Sequence, residues 1–247
     1  MSKRDGNIFV IIQARMNSSR LYGKVMFPLC GKSVLEMMIK RLDSFRENII
    51  IATSKGEEQQ PILNLCQKRG IKYFRGSQND VLGRYYEAAL TFGAKSEDII
   101  VRLTSDCPVI DEGIVKKTVD FYKRNNFEYV SNVIQRTFPR GMDTEVFGFD
   151  ALKEAYKNAK KSFEREHVTP WIIKNYKNGS FLNEINHSRY RLTLDEQKDY
   201  LAIKELFVKL GCRSDFDYDE MINILIRNPH IADMNKEVKQ KEYECSF

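Results

Sequence analysis

Closely spaced cysteine pairs are missing from this sequence. Its five cysteines, Cys30, Cys66, Cys107, Cys212 and Cys245, stand singly with no CxxC pair, and isolated cysteines of this kind read as reduced thiols in a cytoplasmic protein. The three histidines lie far apart, so no zinc-binding spacing is present. No apolar run reaches the roughly 18 residues that a membrane-spanning helix requires. The short apolar stretch near the N-terminus meets Gln13 and Arg15 too early for a secretory leader. Phosphate-binding glycine signatures are absent as well. No GxGxxG follows the first apolar run, and "CGKS" at 30–33 lacks the glycine of a Walker A loop because Met26 stands in its place. Gly31 therefore reads as a turn. Charge of one sign is also scarce, since 40 Lys+Arg against 34 Asp+Glu leave +6 scattered along the chain. That argues against a nucleic-acid binder, which shows a denser basic stripe, and leaves a small polyanionic ligand open.

What is present is enough apolar sequence for one sizeable core: 247 residues, 42% hydrophobic, suit a single domain over 1–229 followed by a polar tail at 230–247. "NIFVIIQA" at 7–14 is a nearly continuous apolar run, as expected of a strand buried on both faces. Then "SVLEMMIKRLDSF" at 33–45 shows helical spacing, with Ser33 as N-cap and Glu36 completing a capping box. The order repeats three times: "NIIIATS" with "QQPILNLCQKRG", "IKYF" with "NDVLGRYYEAALTFG" capped by Asn79 or Asp80, and "DIIVRL" with a helix from about Glu112 to Asn125. Four βα units predict an α/β fold built on a doubly wound, mostly parallel sheet.

From Phe127 the rhythm changes. "EYVSNVI" and "DTEVFGF" read as strands joined only by the loop "QRTFPRGM", which predicts a mixed-strand excursion over 127–190. Helices near 150–160 and 163–177, the second interrupted at Pro170, a strand "RYRLTL", a helix over 196–210 and an amphipathic helix "DYDEMINILIR" follow.

Ligands of open α/β sheets bind beyond the carboxyl ends of the strands, which puts the loop from Ala14 to Lys24 in the expected place. Asn17, Ser18, Ser19 and Gly23 let backbone amides approach an anion, while Arg15, Arg20 and Lys24 neutralise it. Triphosphate is the obvious candidate, against the plain alternative of solvated surface charge.

The loop is also where a family resemblance begins. "IIQARMNSSRLYGKVMFPLCGKSVLEMMIKRL", "FRGSQNDVLGRYYEA", "VRLTSDCPVID", "YVSN", "FPRGMDTEVF", "EREHVTPWI" and "RLTLDEQKDY" follow one another over roughly residues 7–210. In that order they resemble the cytidylyltransferases of the spore-coat polysaccharide SpsF type, relatives of CMP-Kdo and CMP-sialic acid synthetases. Tyr22 and Ser33 stand where that family usually has Pro, and Ser105 where Gly is common.

The resemblance implies a Rossmann-like, GT-A-like nucleotidyltransferase fold. It also implies attack by a sugar-acid or related oxygen on the α-phosphorus of CTP, with pyrophosphate released for surface polysaccharide or glycoconjugate assembly. By analogy Arg15, Arg20 and Lys24 meet the phosphates, with Ala14, Ser18 and Ser19 alongside. Mg2+ should accompany the triphosphate, held by Asp106 and Asp195. For Asp106 the plain reading is a turn before Pro108, and for Asp195 a helix N-cap with Asp199 as competitor. Base and ribose are expected at Ala52, Thr53, Ser54, Ser77, Asp80 and Arg84, although Asp80 also reads as a helix cap and Arg84 as helix surface. The acceptor is expected at Arg140, Asp143, Glu145, Glu166, His167 and Arg191, and the excursion at a homodimer contact. Three alternatives stand beside this reading: another nucleoside triphosphate or a sugar or polyol phosphate acceptor, a glycosyltransferase whose DxD lies in "SDFDYDE", and a non-catalytic nucleotide-binding module.

Overall fold

The first apolar run folds as β1 (Ile8–Gln13), whose alternate side chains point to opposite faces: Val10 and Ile12 enter one core and Ile11 another. The computed structural model describes residues 5–240, so Cys245 and positions 241–247 of the expected tail lie outside the described residues. After β1 and its loop, a small hairpin of β2 (Pro28–Leu29) and β3 (Lys32–Ser33) turns through Cys30 and Gly31, both with positive φ. It leads into α1 (Val34–Lys40), where the Ser33 hydroxyl accepts from the Glu36 amide. The Glu36 carboxylate pairs with Arg69 instead of closing a capping box.

The expected βα units follow: β4 (Ile49–Ser54), α2 (Gln60–Arg69), β5 (Lys72–Gly76), α3 (Val81–Thr91), β6 (Ile99–Thr104) and α4 (Glu112–Arg124). Asp80 and Asp111 cap α3 and α4 by accepting from the amides of Gly83 and Ile114. The excursion supplies β7 (Tyr129–Ser131), β8 (Glu145–Gly148), α5 (Phe149–Asn158), α6 (Ser162–His167), α7 (Pro170–Asn175) and β9 (Asn178–Ser180). Together the strands form a seven-stranded sheet in the order β5-β4-β1-β6-β8-β7-β9, in which β8 alone among the described strands of this sheet runs against its neighbours. β1 lies at the point where the chain leaves for opposite sides, toward β4 and later toward β6, and ligand sites of open sheets form at such a crevice.

Both faces of the sheet are covered. Leu35, Met38, Ile62, Leu65, Val115 and Val119 of α1, α2 and α4 pack on one, and Leu82, Tyr85, Ala88, Leu152 and Ile172 of α3, α5 and α7 on the other. A third core joins the hairpin and α1 to α8 (Gln197–Lys209) and α9 (Tyr218–Arg227), through Leu29, Met37, Leu206, Phe207, Met221 and Leu225. No helix among the described residues is long and apolar enough to cross a membrane.

Three expectations need correction. "RYRLTL" forms no strand but a single bridge between Arg191 and Arg140, because Gly141 (φ +102°) brings its backbone against that of Leu192, where a Cβ would meet the Leu192 carbonyl oxygen at 2.4 Å. The polar tail does not begin at 230: α10 (His230–Asp233) buries Ile231, and the Asn235 amide reaches the Arg191 carbonyl (3.0 Å) and Asp199 (2.8 Å). Finally, Cys30 and Cys212 are not reduced thiols; they form a disulfide whose Cα atoms are 5.4 Å apart across 182 residues of sequence. Cys66 and Cys107 are free and buried.

Candidate active site

Beyond β1 the backbone folds back on itself. The amides of Ser18 and Gly23 both donate to the Met16 carbonyl (2.9 and 2.8 Å), closing the loop expected to carry phosphate. Gln59, buried at the entrance to α2, fixes its base: its Oε1 accepts from the Met16 amide (2.9 Å) and from Thr53 (3.2 Å), and its Nε2 donates to Asn17 Oδ1 (3.3 Å). Gly23, in the left-handed region at φ +68°, then turns the chain so that Lys24 points inward.

Lys24 is a hub. Its Nζ donates to Asp106 Oδ2 (2.8 Å), the Leu194 carbonyl (2.6 Å) and Asp195 Oδ1 (3.0 Å), joining the ends of β1 and β6 to the segment before α8. Backbone bonds hold the same corner, from Leu194 N–H to the Asp106 carbonyl (2.8 Å) and from Ser105 N–H to the Gln13 carbonyl (3.1 Å). Asp195 also meets Arg20 (2.5 Å) and Arg191 (2.8 Å). Burial works against every charge here, yet the two carboxylates hold the Lys24 ammonium above its ordinary pKa, and Lys24 holds Asp106 below its own. The N-cap of α8 is Glu196, in a capping box with Asp199, which accepts from Asp195 N–H and Glu196 N–H (both 3.0 Å), so Asp195 does not cap the helix and lines the cavity.

These groups line one wall of a cavity of about 380 Å3, together with Arg15, Ser18 and Ser19. A second stretch of the same lining carries Arg140, Asp143, Glu166 and His167. Asp143 is gripped through both oxygens by Arg136 (2.6 and 2.8 Å), a bidentate pair. Among the described residues the Arg140 side chain has no ion pair, and burial followed by the charge of Arg136 pushes its guanidinium below the usual value. Burial likewise pushes the His167 imidazole below its ordinary value, which favours the neutral ring at pH 7.

A second cavity of about 450 Å3 shares Arg15, Val81 and Glu166 with the first and is lined otherwise by neutral polar groups such as Ser77, Gln78 and Asn79 and by the ion pair of Asp80 with Arg165. A densely charged chamber, in which cations and carboxylates nearly balance, thus opens beside a polar one, with Arg15 at the boundary.

Several expected residues reach neither cavity. Ala14 is buried and donates its N–H to the Ala52 carbonyl (3.1 Å); Ala52, Thr53 and Ser54 are buried along β4. Arg84 is not helix surface but fully buried, its Nη1 on the Ser77 carbonyl (2.8 Å) and its guanidinium pushed down by burial to about 10. Glu145 faces inward from β8, where it pairs with Arg102 and accepts from Tyr129 (2.8 Å) and Thr169 (3.0 Å). Arg191 lies behind the lining, bonded to Asp195, Asp199 and Gln240. Conversely, Arg102, Thr193 and Gln240 line the first cavity without having been singled out. A cation inside the apolar run "DIIVRL" is a signal for Arg102; Gln59, in the polar stretch before a helix, carried none.

Comparison with known proteins agrees with this geometry. A family model described as cytidylyltransferase matches residues 9–242. An uncharacterized protein of Methanocaldococcus jannaschii is 37% identical over 96% of this chain and 97% of its own length. The spore coat polysaccharide biosynthesis protein SpsF of Bacillus subtilis is 34% identical over 92% of this chain and 97% of its own. The solved structure of a cytidylyltransferase from Leptospira borgpetersenii superposes with a TM-score of 0.87 at 36% identity, covering 96% of this chain and 99% of the other.

Proposed function

The chain belongs to the cytidylyltransferase family, and from that membership we propose that it transfers CMP from CTP to a sugar acid, releasing pyrophosphate, for the assembly of a surface polysaccharide or glycoconjugate. The observation that carries the proposal is the meeting of Arg15, Arg20 and Lys24 with Asp106 and Asp195 around one cavity at the carboxyl edge of β1 and β6. An acceptor hydroxyl oxygen bonds to the α-phosphorus while the bond to the bridging oxygen breaks, its electron pair leaving with pyrophosphate. Charge spreads over the phosphoryl oxygens in this step, and cations fixed in place stabilise it. The hydroxyl proton leaves toward His167, which lines the same cavity.

The residues fit magnesium. Two carboxylates that converge on a single cation, the Lys24 ammonium, supply hard oxygen donors, and the usual remainder of a magnesium shell is phosphate and water. Asp106 and Asp195 would hold the ion, which supplies charge neutralisation on the phosphates. The neutral polar chamber beside Arg15 suits the nucleoside, and the unpaired Arg140 suits the acid group of the acceptor. Exposed Ile134, Leu182 and Ile185 on the excursion support a homodimer contact there. The glycosyltransferase alternative loses its motif: Asp217 of "SDFDYDE" caps α9 by accepting from the Glu220 amide (2.9 Å).

The test is pyrophosphate release with CTP, UTP, ATP and GTP, with and without magnesium, across keto sugar acids and sugar and polyol phosphates. Release confined to CTP, magnesium and a sugar acid is expected. Release with a sugar phosphate alone would replace the acceptor class, and CTP binding without release across the panel would support a non-catalytic module.

A further inference from the structure

Lys24 has no proton to offer a phosphate in this arrangement. An ammonium carries three donors and no acceptor, and all three have partners here: Asp106 Oδ2, the Leu194 carbonyl and Asp195 Oδ1. Arg20, the second cation of the loop, also rests on Asp195. The carboxylates proposed to hold magnesium are therefore already held by the cations proposed to hold phosphate.

We propose that Lys24 is a resident counter-ion that closes the metal site until a nucleoside triphosphate and a divalent cation arrive together. This rests on the reading of Asp106 and Asp195 as metal ligands. Two pairings of the same charges exclude each other: ammonium with carboxylates, or ammonium with phosphate and carboxylates with metal. Each ligand alone is opposed. A divalent ion entering alone sets its charge beside a buried ammonium on shared oxygens, and a triphosphate that draws Lys24 away alone leaves the half-buried Asp106 without its cation and takes one of three cations from the buried Asp195. Arriving together they exchange partners with charge balanced, so each ligand strengthens the binding of the other. The site consequently refuses the free metal ion.

Manganese(II) binding followed by electron paramagnetic resonance, without nucleotide, tests this directly. Wild type should take up Mn2+ weakly, whereas Lys24→Met should bind it about tenfold more tightly or better and show a magnesium-dependent rise in melting temperature that wild type lacks. Adding Asp106→Asn to Lys24→Met should abolish both gains. A natively folded Lys24→Met that gains no affinity overturns the proposal. The nitrogen-15 resonance of the Lys24 ammonium in wild type keeps it testable if the variant does not fold: it should be unmoved by magnesium chloride alone and shifted by magnesium with CTP. Movement with magnesium alone overturns it. Asp106→Asn in the wild-type background separates the two readings. If that change leaves Mn2+ uptake with CTP intact, the metal assignment fails and this proposal with it; if it weakens uptake while Lys24→Met gains nothing, only the counter-ion role fails.

Discussion

On the wall formed by the loop after β1, Lys24 and Arg20 rest on Asp106 and Asp195, whereas on the second stretch of lining Arg140 has no ion pair among the described residues and lies beside an Arg136 already committed to Asp143. The first wall is balanced before any ligand comes, so a ligand there must exchange partners. Arg140 is partly removed from water and makes no ion pair among the described residues, so an anion there gains a contact without displacing a partner. Arg102 and Glu145 show a third use of the same residue types. Locked by Tyr129 and Thr169, Glu145 holds Arg102 at the edge of the cavity as framework. Charge in this site is thus switchable at one end and preset at the other.

Breaking the first wall should have the largest effect. Asp106→Asn removes one of the two carboxylates proposed for magnesium and leaves Lys24 on Asp195 and Leu194, so the fold survives while kcat falls about a thousandfold. Circular dichroism and single-turnover pyrophosphate release check both halves, and near-normal turnover would remove Asp106 from the chemistry. Breaking the second wall should cost less and elsewhere. Arg140→Ala should raise the KM for an acid acceptor about 10- to 100-fold, as expected for loss of a charge-assisted contact, and leave CTP affinity unchanged. If CTP binding fell equally, the two walls would not divide the substrates between them.

The switchable wall was the more legible in sequence, for physical reasons. A continuous apolar run such as "NIFVIIQA" is unambiguous when both faces are buried, and caps such as Asp80 and Asp111 mark helix starts by local hydrogen bonds, so the ends of β1 and β6, with Lys24 and Asp106, could be placed. Facing direction could not. Glu145 and Arg191 are polar residues in the expected segments, but only the register of β8 against β6 and the packing of the last helices turn them inward. Ala52, Thr53 and Ser54 likewise lie in the expected strand yet are covered by Gln59 and the loop it holds. What escaped altogether were partners distant in sequence: Gln59 under Met16, and Cys30 with Cys212.

The disulfide sharpens the comparison because it pulls on one wall alone. Cys30 sits in the hairpin turn that follows Lys24, and Cys212 closes α8, which begins just past Asp195, so the bond ties together the two segments whose charges meet at the switchable end. A crosslink that closes so long a loop stabilises by about 2–4 kcal/mol, chiefly by restricting the unfolded chain. For a domain of this size that corresponds to a fall in melting temperature of very roughly 5–15 °C on reduction or in Cys212→Ser. The site itself should change little. Leu29, Met37, Leu206 and Phe207 already pack the hairpin and α1 against α8, and the Leu194 bond to the Asp106 carbonyl holds the corner without the crosslink. We therefore expect the Kd for CTP to rise by no more than about threefold and the KM for the acceptor to stay constant, measured with and without a phosphine reductant. Loss of CTP binding on reduction would show that the balance of Lys24 with Asp106 and Asp195 depends on the crosslink. An unchanged melting temperature would show that the two cysteines do not stabilise the fold as a pair.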